Sequence, residues 1–262
     1  GKIIAKALIL GATVDGHFSR SFLLQILHRK VKLNDFKDTD ESLFNSLEQI
    51  NKIDDEKYFE NMDLYFERDD EEYGIYKTVE LKENGSQIQL TNENKNEYIN
   101  LTIDYLSRKR IIEQINAFCD GFYSLIPYEF IKTFTSNELD RMICGLPIID
   151  IDDMKKHICI APPYTKDSPI VKFFFDSISR WDQNNLSKLL MFVTGSPKVP
   201  AIGFKGYNDK GYPIKIQPTD SPETYPVAHT CFNTLDLPKC ETEKELNDKL
   251  LISIQVEQFD II

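Results

Sequence analysis

Gly145-Leu146-Pro147 limits how this chain can fold more than any other short stretch. Proline lacks the amide hydrogen a helix ladder needs, and glycine loses the most backbone freedom when held in one. "GLPIIDIDD" therefore reads as a connector. The hydrophobic pattern differs on its two sides. Ahead of it, helical spacing dominates: "GKIIAKALILGATVDGHF" reads as a helix with Ile3, Ile4, Ala7 and Leu8 on one face. "SRSFLLQILH" is a second, and "DTDESLFNSLEQI" a third, opened by Asp40 as N-cap and striped by Leu43, Leu47 and Ile50. Alternation then takes over at Met62, Leu64 and Phe66, at Val79 and Leu81, and at Ile88 and Leu90, with Asn84–Gly85 as a hairpin signal. A long helical stretch begins at a Thr91 or Asn92 cap, and "SNELDRMIC" is a short helix ended by Gly145.

Beyond the connector, "SPIVKFFFDSISRW" and "NNLSKLLMFVTG" read as helices, "YPIKIQP" and "AHTCFNTLDL" as strand-like pieces, and "ETEKELNDKLLISIQV" as a closing helix. Helices, short strands and a final helix imply an α+β module. With 262 residues, 41% of them apolar, the chain is long enough for one large core or two small ones.

The formal charge is −11, which excludes a nucleic-acid phosphate backbone or an anionic membrane surface as the expected partner. Residues 1–145 hold 18 basic and 26 acidic side chains, net −8. The window Asp54–Glu72 alone has 10 acids against Lys57 and Arg68. It reads as a solvated acidic face or as a steering field for a basic partner. The five cysteines and four histidines show neither a CxxC pair nor zinc spacing, so no metal site and no cofactor is expected. Scattered, odd-numbered cysteines fit a reducing compartment, cytoplasmic or nuclear.

One stretch carries chemistry. In a strand, His229 and Cys231 of "AHTCFNTLDL" would share a face, with Thr230 and Phe232 opposite. A charged imidazole nearby favours the nucleophilic thiolate, while the same spacing equally describes a structural cysteine beside an ordinary histidine.

"YPVAHTCFNTLDLP" (225–238) resembles the active-site loop of the HECT family of ubiquitin ligases, with Tyr225 where leucine is usual. "LLMFVTGSPKVPAIGF" resembles a second family segment, with Lys198 in place of arginine, and "ELKENGSQIQLTNENKNEY" a third, all in the family's order. The resemblance runs from residue 1 to 262 and begins part-way into the family's N-lobe. It implies an α+β, bilobal fold: residues 1–145 as a mostly helical N-lobe whose small β-containing subdomain, about 31–110, recruits a ubiquitin-conjugating enzyme, and residues 146–262 as an α+β C-lobe. The hinge is Gly145, Leu146 and Pro147.

By the same resemblance Cys231 accepts ubiquitin as a thioester and passes it to a lysine of a protein substrate. His229, Thr230, Phe232 and Asp236 support the loop. Phe259, fourth from the end, matches a tail phenylalanine tied to transfer, which implies that Ile262 is the natural terminus. Leu43, Ser46, Leu47, Ile53, Met62, Leu64 and Tyr98 are the implied conjugating-enzyme contacts. Leu106–Ser107 replace the aromatic residue with which some members hold a second ubiquitin. The competing readings are a non-catalytic module that only docks conjugating enzymes, and a cysteine hydrolase, which needs a histidine base beside the thiol.

Overall fold

A computed structural model of the chain describes residues 1–37, 39–61, 63–72, 74–219 and 224–255. They fall into two compact units: Gly1–Ala5 with Phe18–Leu139, and Lys6–His17 with the chain from Asp140 onward. The division lies inside a helix, a few residues ahead of Gly145.

The chain opens with α1 (Lys2–Leu10), α2 (Arg20–Ile26), α3 (Glu41–Lys52) and the short α4 (Glu56–Glu60). The first helix is shorter than the sequence reading: Gly11 takes a left-handed φ of +65° and stops it at Leu10. Asp40 caps α3 as expected, its carboxylate accepting the Leu43 amide at 2.9 Å. A two-stranded antiparallel ribbon follows, β1 (Glu67–Glu72) against β2 (Ile75–Glu80).

Its turn is at Gly74, φ +80°, and not at Asn84–Gly85, which correct the sequence reading. Asn84 is left-handed and Gly85 opens a 3-10 turn pressed on Phe66, where a Cβ would lie 2.3 Å from the Phe66 carbonyl oxygen. Side-chain alternation could not mark β1, because its sequence is ERDDEE. Buried Asp70 anchors it instead, accepting the Tyr105 hydroxyl at 2.7 Å and pairing with Arg110 at 3.2 Å.

α5 (Lys95–Ser107) and α6 (Ile112–Tyr123) are separated by a 3-10 turn; α7 (Tyr128–Ile131) and α8 (Ser136–Cys144) complete the run. The α5 cap is Asn94 rather than Thr91 or Asn92. Thr91 and Asn94 exchange bonds, amide to side-chain oxygen, at 2.8 and 3.3 Å, which moves the start of the helix downstream. The first unit's core gathers Phe36, Leu47, Phe59, Phe66, Tyr98 and Ile103.

Gly145 ends α8 at φ +79°, and a Cβ there would strike the Val199 carbonyl. Leu146 bonds to Val199 in both directions, and Asp150 caps α9 (Ile151–His157), so the connector is shorter than read. The second unit continues with β3 (Cys159–Ile160), α10 (Pro169–Ile178), α11 (Gln183–Thr194), α12 (Lys205–Asp209), β4 (Lys215–Pro218), β5 (Val227–His229), β6 (Thr234–Leu237) and α13 (Glu243–Gln255).

Its sheet has the order β3-β4-β6-β5, with β3, β4 and β6 parallel and β5 antiparallel to β6. The register places Ile160, Ile216, Leu235 and Ala228 in one row on one face, and Cys159, Lys215, Thr234 and His229 in the next row on the other. Ile216 and Leu235 are buried in a core shared with Phe174, Leu189, Leu246 and Leu250. One face is thus packed on helices and the other is polar, the usual state of a sheet with an antiparallel edge.

Candidate active site

The stretch read as a single strand is a hairpin. β5 ends at His229, Thr230–Phe232 form one 3-10 turn, and β6 starts at Thr234, which pairs with His229. Alternation stops at His229, so the expected sharing of a strand face by His229 and Cys231 is replaced by a geometry in which Cys231 stands at the tip. Its side chain is exposed, as is that of Phe232.

Asn233 holds the tip in place. It adopts φ +49°, a conformation asparagine tolerates better than most residues. Its amide donates to the Thr230 carbonyl at 3.3 Å, its carbonyl accepts the Lys215 amide at 2.9 Å, and its Nδ2 donates to the Tyr212 carbonyl at 2.7 Å. Thr234 adds a hydroxyl bond to the Phe232 carbonyl at 3.1 Å. The turn is therefore tied both to itself and to β4. The base of the hairpin is tied to α13, where Ser253 donates to the Pro226 carbonyl at 3.2 Å.

His229 Nε2 lies 3.2 Å from Asp236 Oδ2 on the polar face of the sheet. The other Asp236 oxygen, Oδ1, is buried with no partner among the described residues. The imidazole is thus committed to Asp236, and Cys231 makes no hydrogen bond or ion pair among the described residues. A groove of ≈ 450 Å³ runs beside the hairpin between Tyr212, Lys215, Gln217, His229 and Phe232. The arrangement offers an accessible thiol with an open approach and no imidazole base on the sulfur. That suits exchange with an activated acyl donor better than hydrolysis of an amide.

The other cysteines differ. Cys119 and Cys144 are buried, and burial pushes both thiols up, Cys144 to about 11. Cys240 is half-buried and is raised by burial and by Glu245. Cys159 is exposed on the edge strand β3. Iodoacetamide on the native chain is accordingly expected to label Cys231 and Cys159 first, with Cys119 and Cys144 labelled only on unfolding. Peptide mass spectrometry over a time course checks this, and early labelling of Cys144 would contradict it.

In the first unit, Leu47 and Tyr98 are core residues, while Leu43, Ile53 and Leu64 are half-buried against that core. Ser46 is exposed on α3, its hydroxyl donating to the Ser42 carbonyl at 2.9 Å. Met62 and Phe259 lie outside the described residues. Ser107 is buried and bonded to the Ile103 carbonyl at 2.7 Å. Among the described residues no group of three or more His, Cys, Asp or Glu is placed to hold a metal ion, and no helix is long and apolar enough to cross a membrane.

A family model described as HECT-domain (ubiquitin-transferase) matches residues 1–262. The chain belongs to the HECT family. E3 ubiquitin-protein ligase NEDD4 of Homo sapiens is 37% identical over 260 residues, which cover 98% of this chain and 19% of that protein. E3 ubiquitin-protein ligase pub1 of Schizosaccharomyces pombe is 38% identical over 257 residues, covering 97% and 33%. E3 ubiquitin-protein ligase UPL2 of Arabidopsis thaliana is 36% identical over 264 residues, covering 97% and 7%. This HECT chain thus spans a third or less of the length of these relatives.

Two residues that hold this hairpin escaped the sequence reading, Asn233 at its turn and Tyr212 ahead of β4. Asn233 carried a usable signal: an asparagine four residues after His229, at the last position of a short loop between apolar pieces, is where a left-handed residue closes a hairpin. Tyr212 carried none, since it contributes only its backbone carbonyl.

Proposed function

We propose that this chain is the catalytic domain of a HECT ubiquitin-protein ligase, and that Cys231 carries ubiquitin between a conjugating enzyme and a substrate lysine. The observation that carries the reading is the exposed thiol at the tip of a hairpin whose backbone is bonded on both sides. In the first step the Cys231 thiolate attacks the thioester carbonyl on the conjugating enzyme. A new C–S bond forms, the old one breaks, and the conjugating enzyme leaves as a thiolate. Bonds of one kind are exchanged, so the step needs no strong base. In the second step a neutral lysine amine attacks the same carbonyl. An amide bond forms, the Cys231 thiolate departs, and the proton from the amine passes to solvent or to an acceptor.

Asp236 and His229 are proposed as loop supports, the carboxylate fixing the ring, with Thr230 closing the turn through its carbonyl. Phe232 is proposed to flank the incoming acyl tail. Leu43, Ser46, Ile53 and Leu64 offer accessible surface for the conjugating enzyme, and Leu47 and Tyr98 form the floor beneath them. Met62 and Phe259 keep the roles that the family pattern implies. The hinge is proposed at Gly145, Leu146 and Pro147. The chain is proposed to work in the cytoplasm or nucleus, where a thiol stays reduced.

The test is a non-reducing gel of this chain with a panel of ubiquitin-charged conjugating enzymes. A ubiquitin adduct that a thiol reductant removes is expected. Docking of a conjugating enzyme without an adduct would favour a non-catalytic module. Cleavage of a ubiquitin-amide reporter would favour a hydrolase.

The acidic window adds a kinetic expectation. Asp54 and Asp70 are engaged by Lys95 and Arg110, at 3.1 and 3.2 Å, but Glu60, Asp63 and Glu71 point to solvent. If this field steers a basic face of the conjugating enzyme, the association rate falls several-fold between ~0.01 M and ~0.3 M salt, over which the Debye length shrinks about fivefold. Stopped-flow association at varied ionic strength checks this, and a flat salt profile would remove the steering idea.

A further inference from the structure

The first unit contains a concavity of ≈ 580 Å³ on an otherwise acidic chain, walled by the turn after α2, the end of α5 and the start of α6. Three cationic side chains line it, Arg29, Lys30 and Arg108, beside the His28 ring. Among the described residues none of them pairs with a carboxylate. The one acid in the wall, Asp104, already faces Lys109 at 3.5 Å. Cations gathered without counter-charges repel one another, so their convergence needs a reason.

The local backbone fixes where the basic residues begin. After α2 the chain reverses at His28, which adopts φ +50°, where glycine is the usual residue. The reversal is closed by the Arg29 amide donating to the Leu24 carbonyl at 2.8 Å. The His28 ring is held by Tyr128, stacked at 4.7 Å between centroids, and by Tyr123, edge-on at 5.3 Å. The left-handed residue stops the helix and carries the chain into Arg29 and Lys30 at the rim of the concavity, and the Arg29 guanidinium is anchored there by one bond to the Lys132 carbonyl at 3.0 Å, which leaves its other donors free for a ligand.

We infer that this concavity binds a small soluble polyphosphate. Guanidinium groups match phosphate oxygens with two parallel bonds, and Lys30 adds a point charge. Ile112 and the buried Ile115 give the floor an apolar patch that a ring or chain bearing the phosphates can cover. The volume is in the range of small-molecule sites, roughly 300–1,000 Å³. The site lies wholly in the first unit, so it stands independently of the chemistry proposed for Cys231.

The experiment is calorimetric titration of the full chain with inorganic tripolyphosphate, with orthophosphate and sulfate at matched ionic strength as comparators. Tripolyphosphate is expected to bind saturably at one site, more tightly than either comparator, and more weakly as salt rises. Lys30→Glu and Arg108→Glu are each expected to raise Kd by about tenfold or more, the loss proper to a charge-assisted bond to phosphate. Arg108→Lys is expected to fall between wild type and Arg108→Glu, and Lys188→Glu, on exposed α11 surface, to bind as wild type. Circular dichroism melting shows which variants keep the fold, and the graded Arg108 pair keeps the test decisive if one reversal does not. No saturable binding at millimolar tripolyphosphate would overturn the inference. So would equal binding of sulfate, or an equal loss in Lys188→Glu.

Discussion

Cys231→Ala is expected to yield no reductant-sensitive ubiquitin adduct with any charged conjugating enzyme, and to reduce substrate ubiquitination by roughly three orders of magnitude or more, as removal of a covalent nucleophile does elsewhere. The loss should be purely chemical. The side chain is exposed and makes no hydrogen bond among the described residues, so its removal leaves no cavity and no orphaned partner. Cys231→Ser sharpens the result. A serine hydroxyl is not ionised near pH 7, and the imidazole of His229 is turned to Asp236. The variant should therefore form adduct slowly, as an oxyester that resists thiol reductant and yields to hydroxide. Cys159 is the internal control: it too is exposed but sits on the edge strand β3, away from the hairpin turn, and Cys159→Ala should form adduct as wild type does. An adduct that persisted in Cys231→Ala, or vanished in Cys159→Ala, would move the reaction to another sulfur.

How legible was this in the sequence? Elements with a strong apolar stripe and a polar cap were readable. α3 carries Asp40 at its start and Leu43, Leu47 and Ile50 along its length, and α11 runs from Asp182 to a left-handed Gly195. The misreadings share one physical origin. β1 is held by an acid buried against Tyr105 and Arg110, partners supplied by residues 35 and 40 positions away, and no local pattern announces that. Asn84–Gly85 has the composition of a hairpin turn, yet its glycine serves a close approach to Phe66. At the candidate site the motif singled out Cys231, but periodicity placed it on a strand. Only the register of β5 on β6 shows that a turn intervenes and that Asn233 pins it. The basic concavity was invisible for a similar reason: His28–Lys30 and Arg108 are far apart in sequence, and the total charge of −11 pointed the other way.

Leu235→Ala is expected to lower the stability of the second unit by about 2–5 kcal/mol, the cost of emptying a fully packed leucine site. Leu235 is 1% exposed at the centre of β6, on the packed face of the sheet, and it shares its core with Ile216, Phe174, Leu246 and Leu250. The hairpin bearing Cys231 projects from that strand, so the prediction asks what holds the tip up. If the packed face does, the damage is large. If the hydrogen bonds of Asn233 alone do, it is small, because they remain in the variant. Val227→Ala is the matched control, on the polar face of β5 and 44% exposed, where the expected change is within about 0.5 kcal/mol. Trp181, the single tryptophan, packs against this core and donates to Asn247 at 2.9 Å, so its fluorescence in urea follows the second unit alone. The midpoint should fall in Leu235→Ala with the slope unchanged. Below the transition, alkylation of Cys231 should proceed at the wild-type rate, because the native hairpin is intact whenever the unit is folded. Equal midpoints for the two variants would mean that the turn, and not the sheet beneath it, carries the reactive thiol.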